Sequence, residues 1–318
     1  MGRLTINEIL ESPFEISVNE LIALQKLVVR RRSRHPKQHV GAALAQSKIR
    51  GRGMDFVETR NYFPGDDIRL MDWRVTARTH KPHVKVFQVE RERPVMVFYD
   101  LAPSMFFGTK GCLKSVIAAK LAALLAWTAR THGDRVGGVI SSLVKQNLWL
   151  PHAHNQTLIN FLKAVSDAST HYQDPAWTDW NNQNIENIFI RSLKELLKTL
   201  KPGTLILLIS DWNYNVSAIQ SYMLELRQHH DMIMYHVCDP IELIAPKQGL
   251  YPISDGRDVT TLNFYSPASR DDYQKFCEEK LLKVQKLAKK IAVPYQLVTV
   301  DTDLSHLVHQ SLLRRLGA

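Results

Sequence analysis

The chain has 318 residues, of which 45% are hydrophobic and 23% charged, and its formal net charge is +10 at pH 7. These values are typical of a soluble globular protein with one large core, or one core and a smaller lobe. The positive charge favours an acidic partner, which leaves nucleic acid, an anionic membrane surface and an acidic protein open. Three widely separated cysteines without a C-x-x-C motif argue against a disulfide framework and favour reduced thiols.

No segment of the sequence has the pattern of a secretion signal or a membrane anchor. The first 15 residues, "MGRLTINEILESPFE", have no continuous apolar stretch and contain Glu8 and Glu11. The most apolar run, "SVIAAKLAALLAWTA", contains Lys120 and is shorter than the roughly 20 residues that a membrane-spanning helix needs. We therefore expect a cytoplasmic protein that does not insert into a membrane.

The first predicted element is an amphipathic helix, "SVNELIALQKLVVR", which runs into a basic loop. Residues 21–53 contain nine Lys or Arg and no Asp or Glu. One interpretation is a solvated loop, and the other is a docking surface for phosphates or an acidic protein. The candidate anion-binding residues are Arg30, Arg31, Arg32 and Arg34. No aromatic residue is interleaved with these charges to stack on bases, which argues against nucleic acid.

From Pro94 onward, apolar strands alternate with helices. The predicted strands are "PVMVFYD", "DRVGGVISS", "GTLILLISD", "DMIMYHVCD" and "PYQLVTVD". The predicted helices are "KSVIAAKLAALLAWTART", "NQTLINFLKAVS", "IENIFIRSLKELLKTL", "VSAIQSYMLELRQHH", "DDYQKFCEEKLLKVQKLAKKIA" and "LSHLVHQSLLRRLG". Continuous apolar strands separated by helices predict an α/β fold, in which a mostly parallel sheet has helices on both faces.

Three aspartates follow directly or almost directly on predicted strands: Asp100, Asp211 and Asp239. In a parallel sheet the carboxyl ends of the strands meet at one edge, where ligands bind. A P-loop is not supported there, because "GTKGCLKS" has Leu113 where the motif needs a glycine before its lysine. A Ser104 nucleophile is not supported either, since no G-x-S-x-G elbow surrounds it. A site for a hard cation remains as the third interpretation.

The loop "DLAPS", residues 100–104, resembles the D-x-S-x-S loop of von Willebrand factor A domains. In that family two serines and a threonine ligate Mg²⁺, and two aspartates hold its waters. The resemblance implies a Rossmann-like fold with a metal site at Asp100, Ser104 and Asp211. Ala102 stands in place of the first serine, and the threonine has only Asn184 and the more distant Thr178 as candidates. The expected site is therefore degenerate, with no Mg²⁺ or a weakly bound ion.

The segment before the first strand of this sheet, Gly51 to Glu92, resembles the signature of the bacterial domain-of-unknown-function 58 family. The residues that fit this signature, in order, are Gly51, Gly53, Phe56, Arg60, Tyr62, Gly65, Asp66, Asp67, Arg69, Asp72, Trp73, Ala77 and Arg78. The resemblance implies an amino-terminal helix, basic loop and signature segment over residues 1–93 and a von Willebrand A-like domain over 94–318. It also implies a partnership with MoxR-type AAA+ ATPases, beside which such proteins are often encoded, in protein maturation or complex assembly.

The signature also has a physical interpretation of its own. Pro64 and Gly65 predict a turn, after which Asp66 caps a short helix and Asp67 complements the helix dipole. A structural ion network is expected from the residues that follow, Arg69, Asp72, Arg74 and Arg78. The alternative is a docking surface, because Trp73 beside several arginines has the composition of an interface hot spot. The strand "HVKVFQVERE" pairs either with the main sheet or in a separate hairpin.

We expect a non-enzymatic interaction protein whose partners are a MoxR-type AAA+ ATPase and a client protein. Its protein-binding residues are predicted in the strand-end loops and in the signature, at Ser104, Asn184, Asp211, Trp73 and Arg78. One alternative is a metal-dependent hydrolase that uses Asp100, Asp211 and Asp239 around one or two ions. Another is nucleic-acid binding through the basic stretch, which predicts a steep dependence on salt.

Overall fold

The computed structural model describes residues 12–32, 54–89, 92–143, 146–170, 182–254 and 258–316. The chain divides into two compact units. The larger unit joins Met1–Pro36 to Arg93–Ala318, and the smaller unit is Lys37–Glu92. Four residues singled out from the sequence lie outside the described residues: Arg34, Gly51, Gly53 and Thr178. Within these residues, no helix combines the length and the apolarity needed to cross a bilayer.

The helices and strands follow the predicted order. The helices are α1 (Val18–Ala23), α2 (Gln25–Arg32), α3 (Trp73–Thr79), α4 (Lys114–Thr131), α5 (Asn155–Ser169), α6 (Asn182–Thr199), α7 (Val216–His229), α8 (Pro267–Lys290) and α9 (Leu304–Leu316). The strands are β1 (Met54–Asn61), β2 (His83–Val89), β3 (Pro94–Leu101), β4 (Arg135–Ser142), β5 (Asn147–His152), β6 (Leu205–Ser210), β7 (Asp231–Val237), β8 (Leu250–Ser254), β9 (Val259–Asn263) and β10 (Tyr295–Val298). Every strand and helix predicted from Pro94 onward is present, with its ends shifted by a few residues.

Among the residues that the structure describes, the main sheet has six strands in the order β10-β7-β6-β3-β4-β5. All neighbours pair in parallel except β4 and β5, which are antiparallel. The chain passes from β3 through β4 to β5 at one edge and then returns to β6 on the other side of β3, so the strand order reverses between β3 and β6. In doubly wound sheets, ligands bind beyond the strand ends at such a switch point.

Helices cover both faces of the sheet because its central strands are apolar on both sides. On β3, Val95, Val97 and Tyr99 belong to a core cluster that also contains side chains of α4, α5 and α9. Met96 and Phe98, which point the other way, belong to a second cluster with side chains of α6, α7 and α8. The predicted α/β class, a mostly parallel sheet between two layers of helices, is therefore confirmed.

Helix α5 approaches the sheet closely at Gly138 of β4. A Cβ atom at this position would lie 2.2 Å from Cδ2 of the Phe161 ring, which is far inside van der Waals contact. Phe161 is buried and also meets Trp149 of β5 edge to face, with ring centroids 5.9 Å apart. The missing side chain at Gly138 thus lets the ring pack against the strand itself.

The amino-terminal helices belong to the larger unit. The sequence, in contrast, predicts a division after residue 93 that groups these helices with the signature segment. Two helices with Leu24 between them replace the single predicted helix. The indole Nε1 of Trp127 donates to the carbonyl of Leu21 at 3.0 Å, and the hydroxyl of Ser166 donates to the carbonyl of Ile16 at 2.8 Å. These bonds join residues 106 and 150 positions apart, so a boundary drawn along the sequence misses them.

In the smaller unit, β1 and β2 form a two-stranded antiparallel ribbon of their own. This pairing settles the question that the sequence leaves open, because "HVKVFQV" pairs with "MDFVETRN" in a sheet separate from the main one. Between the two strands the chain forms a 3₁₀ turn, Ile68–Leu70, and then α3. Met71 adds an isolated antiparallel bridge to Val84, which fixes this connection to β2.

Two features of the larger unit do not follow from the apolar pattern of the sequence. Strand β5 lies at the edge of the main sheet and is only partly buried. Strands β8 and β9 form an antiparallel hairpin whose side chains are mostly exposed. Because these strands are short and solvated on one side, they lack the continuous apolar run that identifies the central strands.

Candidate functional site

The switch point brings together the aspartates that the sequence places after strands. Asp100 is near the carboxyl end of β3, and Asp211 directly follows the neighbouring parallel strand β6. Asp239 lies two residues beyond β7, which pairs with β6. All three carboxylates are buried, with exposures of 1%, 1% and 0%. Each must therefore be satisfied by groups of the protein itself.

Asp100 is held by two hydroxyl groups. Its Oδ2 accepts hydrogen bonds from Ser210 Oγ at 2.6 Å and from Tyr214 OH at 2.7 Å. Burial raises the pKa of Asp100 to about 7; the hydrogen bond from Ser210 opposes this increase and the charge of Asp211 adds to it. A carboxyl with this pKa is partly protonated at neutral pH, which makes it a poor ligand for a cation.

Asp211 is held in the ionised state by a buried lysine. Its Oδ2 accepts from Lys114 Nζ at 2.9 Å, and Ser104 also donates to the carboxylate. Burial works against the negative charge, but the positive charges of Lys114 and Lys280, with these hydrogen bonds, lower the pKa of Asp211 to about 2. Asp211 is thus a carboxylate whose counter-charge is already supplied by the chain.

Lys114 joins two acidic side chains. Its Nζ donates to Glu242 at 3.1 Å (Oε1) and 3.0 Å (Oε2) in addition to Asp211. Lys280 Nζ lies 3.2 Å from Glu242 Oε1, so acids and bases alternate in one chain: Asp211, Lys114, Glu242, Lys280. Burial disfavours the charge on Lys114, but Asp211 and Glu242 outweigh it and raise its pKa above the ordinary value. We refer to these four residues as the charge cluster.

Asp239 connects two loops. It accepts hydrogen bonds from the backbone N–H of Thr109 at 2.7 Å and from the hydroxyl of the same residue. Its Oδ1 also accepts from the backbone N–H of Ile241 at 3.0 Å, and its own N–H donates to Glu242. These bonds make Asp239 the cap of the 3₁₀ turn Pro240–Glu242 and fix the loop before α4 to the end of β7.

A small cleft opens beside Asp100. Its volume is about 10 Å³, and it is lined by Asp100, Leu101, Ala102, Ser141, Ser142, Leu143, Ile185, Ile188 and Tyr214. Pockets that bind small molecules typically measure about 300–1,000 Å³. Neither Asp211 nor Asp239 lines this cleft.

The Mg²⁺ site that the von Willebrand A resemblance implies does not fit these residues. Ala102 is buried and offers no oxygen, Asp100 is engaged by two hydroxyls, and Asp211 is paired with an ammonium. Asn184 is exposed near the start of α6. In the part of the chain that the structure describes, no group of three or more His, Cys, Asp or Glu side chains is arranged to hold a metal ion.

The predicted strand-end residues differ in their accessibility. Ser104 is half-buried in the 3₁₀ turn Pro103–Phe106, where it contacts Asp211. Asp211 is buried and cannot itself present a surface to a partner, which corrects its predicted role as a protein-binding residue. Of the candidate anion-binding residues, Arg30, Arg31 and Arg32 are the last residues of α2.

In the smaller unit, the acidic residues of the signature hold the backbone in place. Asp66 accepts two hydrogen bonds of 2.8 Å from the Arg60 guanidinium and one of 2.9 Å from the N–H of Phe63. The hydrogen bond from Arg60 is the main reason that the pKa of Asp66 is lowered. Asp67, rather than Asp66, caps the 3₁₀ turn, and Asp72 caps α3. The bidentate pair therefore joins residues other than the predicted Arg69, Asp72, Arg74 and Arg78.

The same unit exposes several large apolar side chains. Trp73 is 67% exposed, and Phe63, Ile68 and Leu70 are exposed as well. The side chains of Arg69, Arg74 and Arg78 are also exposed. We call these seven residues the signature surface. Trp73 and Arg78 are the two of these residues that the sequence predicts as interface candidates; Phe63, Ile68 and Leu70 are not among the predicted site residues.

Most of the groups that satisfy the buried aspartates are not among the site residues predicted from the sequence. Lys114 attracted notice only as the lysine of an incomplete P-loop, and Tyr214 was not considered. Thr109, Glu242 and Lys280 were not considered either. The available signal was position, because Lys114 begins the helix that follows the Asp100 loop.

Comparisons with known proteins place the chain in a family. The family model described as "Protein of unknown function DUF58" matches residues 58–281. Uncharacterised proteins of Mycobacterium bovis and Mycobacterium tuberculosis are 26% identical over 275 residues, which cover 85% of this chain and 82% of each relative.

Two solved structures show a weak likeness. They are the conserved hypothetical protein BatB from Bacteroides thetaiotaomicron and an aerotolerance-related membrane protein from Bacteroides fragilis NCTC 9343 with multiple mutations to serines. Their identities are 14% and 15%, each match covers 69% of this chain and 97% or 98% of the other, and both TM-scores are 0.38. A likeness at this TM-score bears on neither the fold nor the function. The family match, in contrast, spans well over half of the sequence and includes the signature from Arg60 to Arg78, and the chain belongs to the DUF58 family.

Proposed function

We propose that this protein is a non-enzymatic adaptor of the cytoplasm, with a von Willebrand A-like larger unit, that works with a MoxR-type AAA+ ATPase in protein maturation or complex assembly. The ATPase is the proposed direct partner, and a client protein is the second. The strand order with its switch point between β3 and β6 supports the choice of fold.

The signature surface is the observation that carries this proposal. A stable fold gains by burying large apolar side chains, so several of them exposed in one short segment mark an interaction site. Here Trp73, Phe63 and Ile68 are each at least 60% exposed, and three arginines accompany them. Tryptophan and arginine are the residue types that most often dominate binding energy at protein interfaces.

The strand-end aspartates support a binding protein more than a hydrolase. A general base or a metal ligand needs a carboxylate that can reach substrate, water or an ion. Asp211 and Asp239 are instead occupied by Lys114 and Thr109, and Asp100 is occupied by Ser210 and Tyr214. The hydrolase alternative predicts phosphatase or nuclease turnover with Mn²⁺ that is lost in Asp100→Ala, and our proposal predicts no such turnover.

The proposal can be tested by direct binding between purified proteins. The affinity of the full chain for a MoxR-type ATPase encoded in the same genome is measured with ATP and with ADP, for the wild type and for Trp73→Ala and Arg78→Ala. Loss of a hot-spot side chain is expected to weaken binding about tenfold or more. Phe276→Ala is the matched control, because Phe276 is 62% exposed but lies on α8 of the larger unit.

Two results would contradict this proposal. One is that the protein binds the ATPase neither with ATP nor with ADP. The other is an equal loss of affinity in Trp73→Ala and Phe276→Ala, which would show that the signature surface has no special role. Since Trp73 is exposed, its substitution should leave the melting temperature nearly unchanged, and this measurement separates lost binding from lost folding.

A further inference from the structure

We propose that the ammonium group of Lys114 is the resident cation of the strand-end site, where it takes the place of a divalent ion. The larger unit then assembles its switch-point loops without a metal. The inference concerns how this site is built, and it stands independently of the identity of any partner.

The geometry around Lys114 suits an ammonium and not a small divalent ion. Nζ lies 2.9 Å from Asp211 Oδ2 and 3.1 and 3.0 Å from the two oxygens of Glu242. Protein oxygens lie about 2.0–2.1 Å from Mg²⁺ and about 2.3–2.6 Å from Ca²⁺. An ammonium has three N–H donors, and the two carboxylates supply acceptors for them. The oxygens are therefore spaced for hydrogen bonds to nitrogen.

The charge cluster is also balanced without a metal. Two carboxylates, on Asp211 and Glu242, face two ammonium groups, on Lys114 and Lys280. The side chains of Lys114 and Asp211 are each only 1% exposed, so water cannot compensate an excess charge. Adding a divalent ion beside Lys114 would leave two uncompensated positive charges in this buried site.

The position of Lys114 on its helix supports a specific role. It is the first residue of α4, and the preceding Leu113 provides no side-chain cap. The amino-terminal end of a helix carries partial positive charge, which disfavours a lysine there. Nothing in the helix itself therefore accounts for this residue, whereas the carboxylates of Asp211 and Glu242 do.

The other groups that would ligate an ion bind one another instead. Ser104 donates to Asp211, and Asp100 accepts from Ser210 and Tyr214. Ala102 replaces the hydroxyl that the von Willebrand A pattern has at this position. Asp100 is thus satisfied by two hydroxyl groups, and Asp211 by Ser104 and Lys114.

Mn²⁺ titration of the purified full chain, followed by electron paramagnetic resonance, tests the proposal. We expect that the wild type binds no stoichiometric Mn²⁺ at Asp211. Its Mn²⁺ binding should therefore equal that of the Asp211→Asn variant. For Lys114→Ala we expect a lower melting temperature and one new Mn²⁺ site with a Kd of about 10⁻⁴–10⁻³ M, since a vacant pair of carboxylates then remains. Adding Mn²⁺ should restore part of the lost melting temperature.

Lys280→Ala is the matched control, because it removes a partly exposed lysine from the same glutamate and leaves Lys114 in place. It should gain no Mn²⁺ site. One Mn²⁺ bound by the wild type and lost in Asp211→Asn would overturn the proposal, and so would a folded Lys114→Ala that gains no Mn²⁺ affinity. If Lys114→Ala does not fold, the comparison between the wild type and Asp211→Asn still decides. Lys114→Gln, whose uncharged polar side chain is one atom shorter than that of lysine, then replaces Lys114→Ala.

Discussion

Lys114 at the start of α4 and Asp211 at the end of β6 form an ion pair of 2.9 Å in which each side chain is only 1% exposed. The two residues are 97 positions apart in the sequence. The pair therefore connects the loop after β3 with the end of the adjacent strand. In such a site either charge is strongly unfavourable without the other, because burial removes the solvation that both had in the unfolded chain.

Removal of Lys114 should destabilise the protein strongly. Lys114→Met keeps most of the side-chain volume but leaves the Asp211 carboxylate buried without its counter-charge. Breaking one partner of a buried ion pair typically costs about 3–5 kcal/mol, and we expect a loss in that range in urea unfolding. Lys280→Met should cost about 1 kcal/mol or less, because Lys280 is 26% exposed.

The double variant Lys114→Met/Asp211→Asn gives an internal check on this prediction. If the cost of Lys114→Met arises from an uncompensated carboxylate, neutralising Asp211 as well should recover part of the lost free energy of unfolding. The two single effects would then fail to add. Strictly additive effects would show that Lys114 stabilises α4 for some reason other than its pairing with Asp211.

Asp100 should make the stability depend on pH near neutrality. Burial raises its pKa to about 7 from an ordinary value of 3.8. The folded protein therefore binds this proton more tightly than the unfolded chain does. The resulting stabilisation is complete below about pH 4 and is lost as the pH rises through about 7, at a rate of about 1.4 kcal/mol per pH unit between those values.

Asp100→Asn isolates this effect because the amide resembles the protonated carboxyl and cannot ionise. Other groups, such as buried His236, also titrate in this range, so the informative quantity is the difference between the two proteins. From about pH 5 to pH 7 the unfolding free energy of the wild type should fall relative to that of the variant. Parallel pH curves would mean that Asp100 titrates in the folded protein as it does in the unfolded chain.

The position of the buried aspartates could be predicted from the sequence, but their partners could not. Asp100 and Asp211 follow apolar strands, and the parallel pairing of β3 with β6 brings such positions to one edge. The partners of Lys114 are 97 and 128 positions away, and no local pattern indicates them. Its place at the beginning of a helix, where a positive charge is unfavourable, marks Lys114 as unusual but does not identify its partners. Contacts of this kind depend on the assembled sheet and become visible only in three dimensions.

For the signature, too, the sequence predicts some features and not others. Its composition correctly indicates a turn, helix caps and an arginine–carboxylate pair. The assignment of these roles differs, because β1 ends at Asn61 and thereby places Arg60 beside Asp66 across the turn. The helical segments are capped by the residues that immediately precede them, Asp67 and Asp72. Their roles depend on helix starts that the sequence locates only to within a few residues.

Asp72 provides a direct test of this arrangement in the smaller unit. Its Oδ1 accepts from the backbone N–H groups of Arg74 and Val75, both at 3.1 Å, which are otherwise unpaired donors at the start of α3. Asp72→Ala should cost about 1 kcal/mol and increase amide hydrogen exchange in α3, whereas Asp72→Asn should retain the cap. Equal effects of the two substitutions would indicate a role for the negative charge instead of the cap.

The packing of α5 on β4 leads to a prediction about stability that depends on steric fit and involves no charged group. Gly138→Ala places a methyl group 2.2–2.3 Å from the Phe161 ring, and forcing extra volume into a packed core costs about 1–3 kcal/mol. Phe161→Leu replaces the rigid ring by a shorter and more flexible side chain that can turn away from the new methyl group, so the double variant should be more stable in urea unfolding than the sum of the two single effects predicts.

Gly137→Ala serves as the contrast for this last prediction. A Cβ atom at Gly137 would meet the backbone carbonyl of Trp149 at 2.3 Å, and no truncation of a side chain relieves that contact. Phe161→Leu should therefore rescue Gly138→Ala and leave Gly137→Ala as unstable as before. Rescue of both variants would mean that the loss of Phe161 loosens the whole edge of the sheet. Rescue of Gly138→Ala alone would show that the glycine serves to admit this one ring.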